Sequence, residues 1–478
     1  MPYETRKGCA IMHDKPASRF VAGKAAQRKQ YGGSMERTYI RDIPQNFDKE
    51  ILVQGFVENF RDAKGMAFIV LKDITGKGQI TVEKEKLPHI LPALDGLTPD
   101  SVISVRGVAV ANDFVKLCGY EIIPSEIHVE SLAAALPISR EDIPATKKKA
   151  AVEKSSVDLR IDYRWVDLRT DRNQLLFKLQ TCLVAALREF LLSKSFLEIH
   201  SPKLIGAASE SGADVFEVKY FDRLAYLAQS PQFYKQMAMA AGFERIFECG
   251  PVFRAEKSFT SKHATEFTGF DLEFSYIKDF RDVMQIEAEM VTFALGKLKE
   301  RHGDEIEQTF GLPVIVPTLP FPVITLKELY AALESEFGYF APDSEKDDLT
   351  TEAERLSFEW VKKHYDHEFL FVTDYDASKR AFYHMRDENG VPQGYDLIWR
   401  GVEITTGAQR EHRYEVLKKQ AEERGLAEDV RFYLEFFKYG CPPHGGFGIG
   451  VDRFTMLITG MHINEAEFLF RSPKRLTP

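Results

Sequence analysis

Between residues 51 and about 136, apolar and polar positions alternate in short runs separated by turn residues: 51–56, 66–71, 79–82, 102–110 and 121–129, the last interrupted by Pro124. A period of two turns one face of a strand inward, so these runs predict five short strands. Five strands in so little chain suit a small barrel, either an OB-fold or an SH3-like barrel. Upstream, residues 1–45 carry few large apolar side chains and a basic stretch at Lys24, Arg28 and Lys29, which predicts an extension outside the barrel. Residues 137–170 are charged and poor in strand pattern, with Pro137, Pro144 and the run Lys147-Lys148-Lys149, and read as a hinge or linker.

The period then changes. Leu176, Leu179, Leu183, Leu187 and Phe190 recur at helical spacing, followed by Phe196-Leu197-Glu198-Ile199 and Pro202, a helix-strand-proline succession. Further on, Phe247, Val252 and Phe253, then Phe270, Leu272 and Phe274, mark two strands that enclose a charged stretch. Residues 280–370 are mostly helical and read as an insertion, with an acidic loop over 338–351. Strands and helices alternate from 171 to 478 without a regular strand-helix-strand rhythm. The expected class is therefore α+β, a barrel followed by an antiparallel sheet flanked by helices.

Composition narrows the possibilities. With 478 residues the chain has material for several domains, and 44% hydrophobic with 28% charged residues is a globular balance. No apolar run is long enough to span a bilayer, and no secretory h-region opens the chain, so the expectation is a cytoplasmic protein without membrane contact. Five scattered cysteines, without a C-x-x-C pair, read as reduced thiols. A net charge of -9 excludes coating of nucleic acid by bulk electrostatics, so any RNA contact is local.

The chemistry concentrates in Phe253-Arg254-Ala255-Glu256 and His263-Ala264-Thr265-Glu266-Phe267-Thr268-Gly269-Phe270-Asp271-Leu272-Glu273. Cations and acids between paired strands suit a site that holds a polyphosphate and a zwitterion together. This pattern resembles motif 2 of class II aminoacyl-tRNA synthetases, in the aspartyl branch of class IIb, eukaryotic or archaeal in type. Phe196 to Lys203 is similar to motif 1 of that family, and Gly445-Gly446-Phe447-Gly448-Ile449-Gly450-Val451-Asp452-Arg453 to motif 3.

The resemblance implies ATP-dependent activation of L-aspartate, then transfer to the 3'-hydroxyl of the terminal adenosine of tRNA(Asp). It implies Arg254 and Arg453 as the catalytic cations on the phosphates, with Glu256, His263 and Phe267 completing the ATP site. Lys235 and Arg410 match the pair that holds the aspartate side chain; Glu210 and Asp271 match the ammonium partners, and Gln232 a neutral contact. Two cations facing a carboxylate, one of them a planar guanidinium, is what that ligand asks for. Glu403, Thr406 and Asp396 match the Mg2+ ligands, all hard oxygen donors. In the barrel, Phe68, Gln79 and Glu121 match residues that stack on and hydrogen-bond anticodon bases, as an exposed aromatic on a strand does for single-stranded nucleic acid. Pro202 matches the dimer contact of motif 1, implying a homodimer.

Two other readings compete. An asparaginyl-tRNA synthetase shares most of these motifs, but does not carry lysine at the position of Lys235, where a buried cation would face a neutral amide unpaired. A non-catalytic synthetase-like RNA-binding or scaffold protein would not be expected to keep Arg254, Glu256, Asp271, Glu403, Arg410 and Arg453 together. Some positions depart from the aspartyl pattern: Val451-Asp452 replaces leucine-glutamate, residues 374–383 lack two prolines, and Ser472 stands where aspartate is usual.

Overall fold

The structure, a computed structural model, describes residues 35–142, 151–206, 215–256 and 263–478. The chain divides into two compact units, Met1–Ala135 and Leu136–Pro478.

In the first unit β1 (Glu50–Asp62), β2 (Met66–Asp73), β3 (Gly76–Glu83), β4 (Val102–Ala111) and β5 (Tyr120–Ser131) close into a barrel in the order β1-β2-β3-β5-β4. Of the two barrels the alternation allows, this is the OB type. Along β2, Ala67, Ile69 and Leu71 are buried while Phe68 and Val70 are half-buried on the outside, the period-two pattern in space. Asp73 closes the β2–β3 hairpin by accepting the Thr75 and Gly76 amides at 2.6 and 3.1 Å. Pro124 is tolerated inside β5 because the register shifts beside it and its opposite residue is Gly107, where a Cβ would lie 2.3 Å from the Ile123 carbonyl oxygen.

The strands of the second unit are, along the chain, β6 (Leu197–Glu198), β7 (Leu204–Ile205), β8 (Glu217–Tyr220), β9 (Arg223–Leu227), β10 (Arg245–Phe253) and β11 (Glu266–Ser275). After these come β12 (Val323–Thr325), β13 (Phe369–Thr373), β14 (Gly394–Trp399), β15 (Val402–Arg410) and β16 (His444–Gly450). Eight of them form one sheet, in the order β12-β13-β14-β15-β16-β11-β10-β6 among the described residues. Its centre is antiparallel, but β12–β13 and β10–β6 pair in parallel, so the sheet is mixed. The helices Asp171–Ser193 and Phe280–Phe310 pack on one face, joined by Phe247, Phe270, Leu272, Phe447 and Ile449 in the main core.

Two stretches pack more closely than the sequence pattern alone indicates. Residues 280–370, read as an insertion, contribute Val283, Met290 and Leu298 to the main core, and β12 and β13 extend the sheet. The end of the 137–170 stretch is likewise no free linker. Arg164, buried, donates to the carbonyls of Glu465 and Glu467 at 2.7 and 2.9 Å and to Asp167 at 2.8 Å, and Arg160 pairs with Glu465 at 2.7 Å. The run Lys147 to Lys149, like the basic stretch at Lys24, lies outside the described residues.

Candidate active site

Because Phe270, Leu272 and Phe274 enter the core under the long helices, Asp271 and Glu273 point from β11 to the opposite face. Neighbouring β16 supplies the room. A Cβ on Gly446 would lie 2.5 Å from Glu273 Oε2, and one on Gly448 would lie 2.7 Å from Asp271 Oδ1. The glycine string is therefore a space requirement of two carboxylates on the adjacent strand. A cavity of about 430 Å³ opens on this face.

At one end of the cavity the charges interlock. The helix Gln232–Ala240 begins just after Pro231, and its first turns carry Gln232, Lys235 and Gln236 inward. Lys235, 1% exposed, donates to Asp271 Oδ1 at 2.9 Å and stands 3.5 Å from Glu273 Oε2. Arg410, the last residue of β15, donates through Nε to Glu273 Oε1 at 3.0 Å and through its terminal nitrogen to the Gly446 carbonyl at 2.8 Å. Burial pushes the Glu273 carboxyl up, but Arg410 and Lys235 outweigh it and hold the group below its ordinary range, so it is an anion. His384, 3.3 Å from Arg410, is driven well below the imidazole range by burial and by that cation, and stays neutral. Behind Lys235, Gln236 Oε1 accepts from Gln232 and Tyr433, each at 3.0 Å, and its amide nitrogen meets His444, which burial pushes down to about 4.

The other end is more open. The Arg254 guanidinium sits 5.5 Å from the Phe267 ring centre, with Glu256 3.9 Å from Arg254 and 3.8 Å from His263. Arg453, in the first turn of the helix Val451–Thr459, donates to the Glu403 carbonyl at 2.8 Å. The preceding Asp452 accepts from the Thr268 amide and from Gln180, both at 2.8 Å, tying that helix to β11 and to the long helix. Glu403 is raised by burial and by nearby Asp396, and its Oε1 accepts from Thr406 at 3.2 Å. Cations thus line both ends of one cleft, and the open end adds an aromatic face and a carboxylate-hydroxyl pair.

A family model for class II tRNA synthetases (D, K and N) matches residues 156–470, and one for the OB-fold nucleic acid binding domain matches residues 51–130. The chain belongs to the class II tRNA synthetases. It is 41% identical to the aspartate–tRNA(Asp/Asn) ligase of Methanopyrus kandleri over 93% of this chain and all of that protein. It is 35% identical to the aspartate–tRNA(Asp) ligase of Pyrococcus furiosus over 92% of this chain and 99% of the relative. Among solved structures, the aspartyl-tRNA synthetase of Entamoeba histolytica aligns with a TM-score of 0.82 at 30% identity, over 99% of this chain and all of that one. Asparaginyl-tRNA synthetase of Pyrococcus horikoshii, complexed with asparaginyl-adenylate, also aligns at 0.82 and 30%, over 93% of this chain and all of that one.

Within this class II synthetase, the cleft brings together Gln232, Lys235, Arg254, Glu256, His263, Phe267, Asp271, Glu403, Thr406, Arg410 and Arg453, all expected from the sequence. Asp396, buried and opposite Thr406 across β14 and β15, gives both oxygens to the cleft-lining Arg380 in a fork at 2.8 and 2.6 Å, with the guanidinium stacked 3.6 Å from the Tyr375 ring centre. Glu403 and Thr406 line the cleft itself. One carboxylate and one hydroxyl fit a small divalent cation that draws its other ligands from phosphates and water, and burial of Glu403 favours such a counter-charge. Glu210 lies outside the described residues, and Pro202 is exposed next to the edge strand β6.

On the barrel, Phe68 stands opposite Thr81, Val70 opposite Gln79, and Gln79 beside Glu121, so Phe68, Gln79 and Glu121 share one outward face across β2, β3 and β5. Glu121 accepts from Asn112 at 2.9 Å. Sequence reasoning missed Glu273, Arg380, His384 and the Gln236–His444 pair as parts of the site. Only Glu273 carried a signal, its spacing of two from Asp271.

Proposed function

We propose that this enzyme condenses L-aspartate with ATP and then charges tRNA(Asp). The observation that carries this reading is the buried row Lys235, Glu273, Arg410, which presents two cations around one anion at the closed end of the cleft. A side-chain carboxylate suits those cations, and a neutral amide would leave both under-paired. In this reading Asp271 and Glu210 take the α-ammonium, and Gln232 adds a hydrogen bond. Arg254 and Arg453 lie along the polyphosphate, while Phe267 packs on the adenine and Glu256 and His263 close that end.

The α-carboxylate oxygen attacks the α-phosphorus, the bond to pyrophosphate breaks, and aspartyl-adenylate results. The 3'-hydroxyl of the terminal adenosine then attacks the acyl carbon, and AMP leaves. No protein nucleophile takes part; alignment and charge stabilisation by Arg254 and Arg453 supply the rate. Class II synthetases use ATP with a divalent metal. Here we assign Mg2+ to Glu403 and Thr406, where it would offset charge on the departing pyrophosphate.

The Phe68, Gln79, Glu121 face takes the anticodon. Exposed Leu192, Leu197 and Pro202, around the edge of β6 that no strand among the described residues covers, support a homodimer across that edge. No helix among the described residues is long and apolar enough to cross a membrane, and we assign the enzyme to the cytoplasm.

The test is ATP–pyrophosphate exchange with Mg2+, aspartate and asparagine offered separately. Exchange with aspartate is the expected result. Exchange with asparagine alone would turn the assignment to an asparaginyl enzyme, and none with either amino acid would leave a non-catalytic RNA-binding protein. Charging purified tRNA(Asp) and tRNA(Asn) in parallel then decides the acceptor range, on which the named relatives themselves differ.

A further inference from the structure

The β10–β11 register sets Glu248 directly opposite Asp271. Opposed residues of an antiparallel pair share a face, and like charges there repel. The next pair on this face is Gly250 opposite Gly269, so neither β10 nor β11 puts a side chain of its own beside the two carboxylates at that step. A Cβ on Gly269 would lie 3.0 Å from Asp271 Oδ2, and one on Gly250 would lie 3.5 Å from Glu248 Oε1 and from the Lys203 side chain. Each carboxylate has its own lysine. Lys235 serves Asp271, while Lys203, the residue just before β7, reaches Glu248 Oε1 at 2.6 Å. The amide and hydroxyl of Ser201 also donate to Glu248, at 3.0 and 2.6 Å, and Glu248 is 2% exposed.

A row of charges therefore runs Lys203, Glu248, Asp271, Lys235, Glu273, Arg410. Three cations balance three anions, and the Glu248–Asp271 step is the one place where like charges adjoin. Lys203, Ser201 and Glu248 do not line the cleft, so they act on a ligand through Asp271.

We propose that Lys203 is a positioning residue of the amino-acid subsite: by neutralising Glu248 it keeps a second negative charge from acting on the ammonium partner Asp271 and on an incoming anionic amino acid. This rests on the aspartate reading above. Aspartate brings one ammonium and two carboxylates, a net negative charge, whereas asparagine is neutral overall. Loss of Lys203 leaves the row with one excess anion, which opposes aspartate more than asparagine. The main-chain role of the segment is separate, since the Lys203 carbonyl accepts from the Ala228 amide at 3.0 Å whatever the side chain.

The experiment compares the full-length wild type with Lys203→Met, Glu248→Gln and the double variant, by ATP–pyrophosphate exchange with thermal melting as a check on folding. Lys203→Met is expected to raise the KM for aspartate roughly tenfold, as one uncompensated charge a few ångströms beyond the subsite implies. The KM for ATP stays within about twofold, and the double variant returns the aspartate KM to within about threefold of wild type, because the row is balanced again. Equal rises for aspartate and ATP, no rise, or a double variant as poor as the single one each overturn the proposal. If Lys203→Met does not fold, Glu248→Gln decides: with Lys203 kept and its anion gone, the aspartate KM must fall, and a rise overturns the idea. The wild-type lane separates the two readings, since absence of aspartate exchange there refutes the substrate assignment whatever the variants do.

Discussion

Removing Arg410 is the most direct challenge to the proposed substrate pocket. Its guanidinium, 3% exposed, is held at three points, Glu273 at 3.0 Å, Gly446 O at 2.8 Å and His384 at 3.3 Å, leaving its remaining N–H groups for a ligand at the cleft. Truncating one partner of a desolvated, hydrogen-bonded charge pair costs about 2–5 kcal/mol. At about 1.4 kcal/mol per factor of ten, Arg410→Ala should lower kcat/KM for aspartate by roughly thirty- to several-thousand-fold. The KM for ATP should move by less than about threefold, because Arg410 is at the end of the cleft away from Arg254 and Phe267. The assay is ATP–pyrophosphate exchange, varying aspartate at saturating ATP and then ATP at saturating aspartate. Arg410→Lys, which keeps the charge but not the fork, should fall between wild type and alanine. Equal losses for the two substrates would refute the assignment of Arg410 to the amino acid, because a guanidinium that only braces the fold spares neither.

Three other perturbations follow from the geometry. Glu403→Gln should lower kcat by about a hundredfold or more and raise the Mg2+ concentration needed for half-maximal rate; an unchanged Mg2+ dependence would rule out Glu403 as the metal ligand. Burial pushes Glu287, hydrogen-bonded to Tyr395 at 2.6 Å and to Thr405, up to about 8 from its ordinary 4.5. The folded state then holds a proton that the unfolded chain has released between those values, so stability is greatest at the acid end of the window and declines as pH rises through it; Glu467, raised to about 9 by burial, acts in the same direction. The melting temperature of Glu287→Gln should accordingly fall less steeply with pH than that of wild type, and parallel slopes would contradict this. Gly446→Ala would put a Cβ 2.1 Å from the Leu272 carbonyl oxygen, so it should cost at least about 3 kcal/mol in chemical denaturation, and a near-neutral result would mean that β16 and β11 are not packed as described.

Lys235, Asp271 and Arg410 were legible because aspartate chemistry asks for them by type and the motifs fix their spacing. Glu273 stands in the same motif, but no charge of the substrate asks for it; it answers the protein's own cations. Two cations in a closed pocket need an anion before any ligand arrives, and that requirement, applied to the alternation along β11, points to Glu273. The Arg380–Asp396 fork is not legible in the sequence: Asp396 stands in the acidic motif, opposite Thr406 across β14 and β15, but Arg380 comes from a segment without strand or helix periodicity, so nothing points to their pairing. The role of residues 280–370 was hidden by strand length. β12 has three residues, and β13 is buried on both faces and shows no alternation, so neither registers against the helical periodicity around it.

The shared anion also bears on how tightly the pocket can hold its substrate. Glu273 orients Arg410 in advance, as Asp271 orients Lys235, so little side-chain entropy is left to lose when a carboxylate arrives, and this favours binding. It also competes for the same N–H groups and cancels part of their charge, which limits affinity for any anion. Selectivity survives that cancellation because it depends on differences. A carboxylate completes the hydrogen-bonding of both cations, whereas an amide must turn its NH2 toward one of them, and the penalty falls on asparagine whether or not Glu273 is present. Glu273→Gln therefore separates the two roles. If preorganisation dominates, the KM for aspartate rises as the cations lose their fixed geometry; if charge cancellation dominates, it falls. Arg410, buried without the anion it donates to, also predicts a lower melting temperature in either case, while Lys235 keeps Asp271 at 2.9 Å. An unchanged melting temperature would show that Glu273 is not the charge that holds Arg410 in place.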